Sequence, residues 1–220
     1  MIRVKICGIT NAADAEAAAQ AGADLIGLNF YELSPRVVSL ETAADIREAL
    51  PKSVEAVGIF VNHPPREIIR ISRLLRLDAA QLHGDETPEV VTRVSGNVPV
   101  FKAIRVDAHF ALSSLKPYSD ASAFLLDASR AGQYGGTGHT IDWALARQAA
   151  TSHRIILAGG LKPENVAAAI RVVRPYAVDV ASGVESKPGR KDHARVRAFI
   201  EEVRRAETQL DSHAEKSNAL

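Results

Sequence analysis

The chain contains a single cysteine, Cys7, which excludes an internal disulfide and a multi-cysteine metal site and suits a reducing compartment. Its formal net charge is only +1. Twenty-seven Lys and Arg face 26 Asp and Glu, so no basic field points to nucleic acid or to a membrane surface, and any anion must be bound locally. The start, Met1-Ile2-Arg3-Val4-Lys5, has no signal-peptide apolar region, and no run of about 18 apolar residues could span a bilayer. No HExxH helix, Walker loop or GxSxG elbow occurs. The histidines are scattered singly, so a metal site would have to be gathered from distant segments. What remains is the expectation of a soluble, cytoplasmic protein.

The 220 residues suffice for a sizeable core, burying roughly 70% of the unfolded surface by size scaling. Short β-rich runs recur every 20 to 32 residues, starting at Arg3, Leu25, Glu55, Ala79, Pro99, Ala123, Ile155 and Ala177. That spacing suits βα units rather than hairpins. Between them lie helical segments with their own punctuation: Asn11 caps a segment closed by Gly22, Glu41 to Leu50 ends before Pro51, and Pro65, Pro88 and Pro163 each open a helix. Further helices are expected over His109 to Leu115, Asp142 to Ala150 and Asp192 to Arg205. Eight such units favour a closed parallel (β/α)8 TIM barrel over an open doubly wound sheet. The expected organisation is one domain over 1–205, followed by a polar, disordered tail over 206–220.

A barrel of this kind places its chemistry at the C-terminal ends of the strands. The sixth run ends in Leu125-Leu126-Asp127 and enters a long loop with Gly135-Gly136-Thr137-Gly138, which puts a carboxylate next to backbone that can approach an anion or close over a ligand. The first run carries Lys5 and Cys7 on one face. Inside a closed barrel Lys5 needs a partner, and Asp179 in the neighbouring eighth run supplies one; alternatively, Lys5 favours the Cys7 thiolate. Cys7 itself reads either as a base or as a small buried hydrophobe. Ser34-Pro35-Arg36 presents an Arg that either captures a planar carboxylate or is a solvated surface group. Gln81 and His83 share a face, with His83 either structural or in contact with a ligand. Gly159-Gly160 after the seventh run and Ser182-Gly183 after the eighth suit a phosphate, although tight turns need no ligand.

With these residues in view, the sequence resembles the phosphoribosylanthranilate isomerases of tryptophan biosynthesis over nearly all of residues 3–200. Lys5-Ile6-Cys7-Gly8, Ser34-Pro35-Arg36, Gln81-Leu82-His83-Gly84, Leu126-Asp127 with Gly135-Gly136-Thr137-Gly138, Ala158-Gly159-Gly160-Leu161 and Ser182-Gly183-Val184-Glu185 carry the resemblance in order. It implies an Amadori rearrangement of N-(5-phosphoribosyl)anthranilate without cofactor or metal, in a monomer or homodimer whose partner is a small phosphorylated substrate. Asp127 is then the general acid, Cys7 the general base and Arg36 the carboxylate site, with phosphate on Gly159, Gly160, Ser182 and Gly183, His83 at the substrate, and Lys5 and Asp179 in support.

The chemistry sets opposite demands. An Asp of pKa about 3.9 is protonated in roughly one molecule per thousand at pH 7, so the acid must be raised, whereas a thiol base must be lowered toward neutrality. Asn29, where an apolar residue is expected, and Ile141, where an aromatic is expected, depart from the family pattern, and His139 has no assigned role. Three other readings compete. The related phosphosugar isomerase of histidine biosynthesis has an Asp in place of Cys7, a metal-dependent epimerase would need recognisable ligand histidines, and a catalytically silent phosphate-binding barrel would not need both Cys7 and Asp127.

Overall fold

The computed structural model describes residues 1–107, 110–127 and 142–218. Eight parallel strands close into a barrel in sequence order: β1 (Arg3–Cys7), β2 (Leu25–Asn29), β3 (Glu55–Phe60), β4 (Ala79–Leu82), β5 (Val100–Arg105), β6 (Ala123–Asp127), β7 (Ile155–Leu157) and β8 (Ala177–Val180). The expected TIM barrel is therefore the fold. Around it lie α1 (Ala12–Gln20), α2 (Leu40–Ala49), α3 (Pro65–Leu74), α4 (Pro88–Ser95), α5 (Trp143–Ala150), α6 (Pro163–Val173) and α7 (His193–Asn218).

Short polar residues start several of these helices. Asn11 Oδ1 accepts from Asp14 N at 2.8 Å, Ser39 Oγ from Thr42 N at 3.0 Å, and Asp142 Oδ1 from Ala144 N at 2.8 Å, each satisfying a backbone donor with no partner inside its helix. Proline opens α3, α4 and α6, where its missing N–H costs nothing. Two expectations differ in detail. The crossover after β5 is a 3-10 helix over Leu112–Tyr118 rather than an α-helix over His109 to Leu115, and Pro117 inside it removes a donor that a longer helix would need. Helix α7 continues beyond Arg205 to Asn218; Ala206 is fully buried and Leu210 packs on the core.

Strand alternation divides the core in two. Leu25, Val57, Ala79, Phe101, Ala123, Leu125, Ile156 and Ala177 fill the barrel, while Val4, Ile6, Ile26, Leu28, Phe60, Leu82, Leu126 and Val178 face the helices with Phe199 and Val203 of α7. Each buried Ile, Leu or Phe contributes about 1.5–3 kcal/mol, so the outer layer carries most of the hydrophobic stabilisation.

Closure occurs between β1 and β8, where Lys5 lies opposite Asp179 in parallel register. The Lys5 Nζ donates to Asp179 Oδ1 at 2.8 Å, with the Lys5 side chain wholly buried. The expected pair inside the barrel is thus present. Burial pulls the ammonium down, but Asp179 and the Cys7 sulfur raise it, leaving it above the ordinary lysine value. Lys5→Met would strand the Asp179 carboxylate in an apolar barrel and should cost about 3–5 kcal/mol of folding stability. Urea unfolding of the purified variant checks this, and a loss below about 1 kcal/mol would show that the seam does not rely on the pair.

Candidate active site

The strand alternation that fills the barrel also builds a pocket at its C-terminal mouth. Above the apolar interior layers the same inward positions become Cys7, Asn29, Gln81, Asp127 and Asp179, and all of them line one pocket together with Arg36, His83, Gly159, Gly160, Ser182 and Gly183. Every expected site residue except Lys5 is on that lining; Lys5 lies beneath it, beside Cys7. The segment after Asp127, with Gly135, Gly138, His139 and Ile141, lies outside the described residues, as does His109.

Cys7 stands at the end of β1, opposite Gly27 of β2. A Cβ at position 27 would come within 3.0 Å of the sulfur, so the bare backbone makes its space. Burial and the charge of Asp179 push the thiol above its ordinary pKa, against the opposing pull of Lys5 and Lys191. Desolvation thus outweighs two nearby cations, and the thiol is raised rather than lowered toward neutrality.

Asp127, at the end of β6, is almost fully buried and faces His83, whose Nε2 lies 3.4 Å from Asp127 Oδ2. His83 in turn lies 2.7 Å from Gln81 Nε2 through Nδ1, and when Nδ1 accepts there the neutral ring presents N–H to the carboxylate. Gln81 Oε1 is buried and has no hydrogen-bond partner among the described residues. The turn that holds His83 is anchored from outside the barrel. Buried Lys102 Nζ donates to Glu86 Oε2 and to the Gly84 carbonyl, both at 2.8 Å, and Glu86 accepts from Gly84 N and Asn62 N.

Arg36 is carried by the loop after β2. Asn29 explains its own departure from an apolar pattern: its Oδ1 accepts from Tyr31 N at 2.8 Å and its Nδ2 donates to Ser34 Oγ at 3.1 Å, while Ser34 Oγ also accepts from Arg36 N. The polar side chain fixes the turn that presents the guanidinium. Gly8, with φ of +72°, lies against it; a Cβ there would sit 2.4 Å from Arg36 Cδ. Arg36 is not a solvated surface group. Glu185 grips its Nε and Nη2 at 2.8 and 2.7 Å, and that pairing raises the guanidinium while Arg36 and Lys191 hold the Glu185 carboxyl below the usual range, despite its burial.

Opposite this group, Gly159 and Gly160 after β7 adopt φ of +79° and +61°, and Ser182–Val184 forms a 3-10 turn after β8. A Cβ on Gly183 would lie 2.0 Å from the Leu161 carbonyl oxygen, so the two turns pack backbone against backbone and leave room at the pocket wall.

Sequence reasoning missed Lys191. A hairpin follows the eighth strand, β9 (Glu185–Lys187) with β10 (Arg190–Lys191), and returns Lys191 to the mouth with its side chain wholly buried. Its Nζ donates to Glu185 Oε1 at 2.9 Å and to the Ala181 carbonyl at 3.0 Å. Burial pulls this ammonium below the ordinary lysine value, with Arg36 adding to the effect and Glu185 opposing it. The hairpin's strands of three and two residues are too short for periodicity to reveal, but Pro188-Gly189 between Lys187 and Arg190 marks the turn. Among the described residues no cluster of His, Cys, Asp and Glu could hold a metal, and no helix is long and apolar enough to cross a membrane.

A thiol, a carboxyl, an arginine and two glycine turns around one barrel mouth define a site but not a substrate. The profile of the N-(5'-phosphoribosyl)anthranilate (PRA) isomerase family matches residues 4–202. An N-(5'-phosphoribosyl)anthranilate isomerase of Trichlorobacter lovleyi is 53% identical over 209 residues, covering 94% of this chain and 100% of that protein. The phosphoribosyl anthranilate isomerase of Thermotoga maritima superposes with a TM-score of 0.86 at 41% identity, covering 93% of this chain and 99% of that one. A solved phosphoribosyl anthranilate isomerase in complex with reduced 1-(o-carboxyphenylamino)-1-deoxyribulose 5-phosphate matches with a TM-score of 0.83 at 40% identity, over 93% of this chain and 99% of that one. By matched length and identity throughout the barrel, the chain belongs to the N-(5'-phosphoribosyl)anthranilate isomerase family.

Proposed function

We propose that the chain catalyses the Amadori rearrangement of N-(5-phosphoribosyl)anthranilate to 1-(2-carboxyphenylamino)-1-deoxyribulose 5-phosphate in tryptophan biosynthesis, with Asp127 as general acid and Cys7 as general base. The observation that carries this reading is the convergence of Cys7, Asp127 and Arg36, from three separate strand ends, on one pocket of a barrel matched to that family over residues 4–202. A solved relative binds the reduced product analogue, and the same ligand class suits this pocket. The unpaired thiol suits a reducing compartment, and the reading places the enzyme in the cytoplasm.

The anthranilate carboxylate binds Arg36, and the phosphate lies on the turns of Gly159, Gly160, Ser182 and Gly183, which together span the pocket. His83 borders the substrate and orients the Asp127 carboxyl. Protonated Asp127 gives its proton to the furanose ring oxygen as the bond from that oxygen to C1 breaks, leaving a C1–N Schiff base. The Cys7 thiolate then takes the proton from C2, forming an enolamine. Ketonisation adds a proton at C1 and releases one from the C2 hydroxyl, so the product is an isomer and nothing is oxidised or reduced overall. The enzyme is left with a thiol and a carboxylate, and one proton must pass from Cys7 to Asp127 before the next turnover.

That cycle needs the thiolate, whereas burial and Asp179 raise the Cys7 thiol above its ordinary pKa. Lys5 and Lys191 are the cations that stabilise the anion when it forms. Cys7→Ala and Asp127→Ala should each lower kcat by about 10²–10⁴-fold with the circular dichroism of the barrel intact. Turnover within about threefold of wild type, followed by loss of substrate fluorescence, would remove the assigned role from that residue. Arg36→Ala should raise KM by about 10–100-fold, the equivalent of one charged hydrogen-bonded contact; an unchanged KM would move the carboxylate site elsewhere.

The raised thiol has its own signature. Below its pKa the thiolate fraction grows about tenfold per pH unit, and raising that pKa extends the rising limb to higher pH. Alkylation of the sole cysteine by iodoacetamide in the empty enzyme should therefore accelerate from pH 7 through pH 9, without the plateau that an ordinary or lowered thiol would begin to show near pH 8.5 or below. A plateau reached by pH 8 would contradict it.

A further inference from the structure

A buried cation at the mouth lies within electrostatic reach of Cys7 and is bonded to Glu185. Lys191 is held from behind as well as in front: its backbone N donates to Asp14 Oδ2 at 2.9 Å, and Asp14 Oδ1 lies 2.8 Å from His193 Nε2. Thr10 Oγ1 donates to the Gly189 carbonyl and ties the hairpin to the loop after β1. Two parts of the fold therefore hold the Lys191 ammonium against Glu185. A buried ammonium is unfavourable unless it answers a charge, and the charge it answers is the one that grips Arg36.

The grip leaves half of Arg36 unused. A guanidinium has two edges that can receive a carboxylate, one formed by Nε and Nη2 and the other by Nη1 and Nη2. Glu185 takes the first edge, and among the described residues Nη1 has no hydrogen-bond partner. Arg36 and Glu185 alone sum to zero, so a substrate carboxylate arriving at the second edge would meet a neutral pair and the repulsion of Glu185 behind it. Adding Lys191 makes two cations against one carboxylate, a net charge of one positive unit.

We propose that Lys191 is a positioning residue that sets the enzyme's preference for a carboxylate-bearing substrate, balancing Glu185 so that Arg36, locked in place, keeps its full charge for the anthranilate carboxylate. The proposal rests on the reading of Arg36 given above. It separates two jobs that a lone arginine would have to combine. Glu185 fixes the guanidinium, and Lys191 cancels the electrostatic penalty of that fixing.

The test compares N-(5-phosphoribosyl)anthranilate with N-(5-phosphoribosyl)aniline, which lacks the carboxylate, by the ratio of their kcat/KM values. Lys191→Met should lower this ratio about tenfold, the effect of losing one nearby unit charge, because any effect on the Cys7 thiolate is common to both substrates and cancels in the ratio. Adding Glu185→Gln to that variant removes the unbalanced carboxylate and should return the ratio to within about threefold of wild type. A merely structural lysine would not be rescued by removing a second charged group. An unchanged ratio in Lys191→Met, or a double variant as impaired as the single one, overturns the charge balance. Should Lys191→Met fail to fold, the double variant decides alone: a near-wild-type ratio supports the proposal and a tenfold loss overturns it. Failure of the wild-type protein to turn over the anthranilate substrate would instead overturn the functional reading, which keeps the two failures distinct.

Discussion

The register between β1 and β8 is the constraint on which the rest of the molecule depends. Closing a sheet removes its unpaired edges only if the last strand meets the first in one alignment. Here that alignment sets Lys5 against Asp179, with a 2.8 Å ion pair inside the barrel. A buried ion pair adds little net stability but penalises every arrangement that separates it, so its worth lies in specifying register. A slip of one residue along β1 would turn Ile6 inward and send Lys5 and Cys7 into the helix layer. Fixing the seam and placing Cys7 at the mouth are thus one structural decision.

The charges around that cysteine are arranged in layers. Lys5 and Asp179 lie below the thiol, Lys191 and Glu185 beside it, and Arg36 extends from Glu185 over the pocket. Three cations share two carboxylates, Asp179 answering Lys5 and Glu185 answering both Lys191 and Arg36. At Cys7, desolvation and Asp179 prevail over Lys5 and Lys191 and push the thiol above its ordinary pKa.

Much of this was legible in the sequence because a barrel repeats one local rule. Apolar runs of four to six residues, spaced for βα units, located the strands to within about a residue, and alternation put Lys5 with Cys7 and Gln81 with His83 on inward faces. The Lys5 to Asp179 pair followed from closure. Partnerships across long separations did not follow: Arg36 and Glu185 lie 149 residues apart, and nothing local in either segment names the other. Lys191 was hidden for a different reason. It sits in a two-residue strand whose direction is set by Asp14 and Thr10 rather than by its own pattern.

Asn29 shows why the pattern fails where it does. Along the inward positions of β2 the residues run Leu25, Gly27, Asn29, and along β6 they run Ala123, Leu125, Asp127. In each case the lower positions fill the barrel and the last one lines the pocket. An apolar residue at position 29 would satisfy the alternation yet leave Tyr31 N and Ser34 Oγ without the partners that shape the Arg36 loop. The inward stripe serves as core at one end and as chemistry at the other, and a polar residue at its upper end is what that change of role requires. A rule written for cores therefore breaks at the layer where the interior ceases to be one, which makes the departure itself a marker of the site.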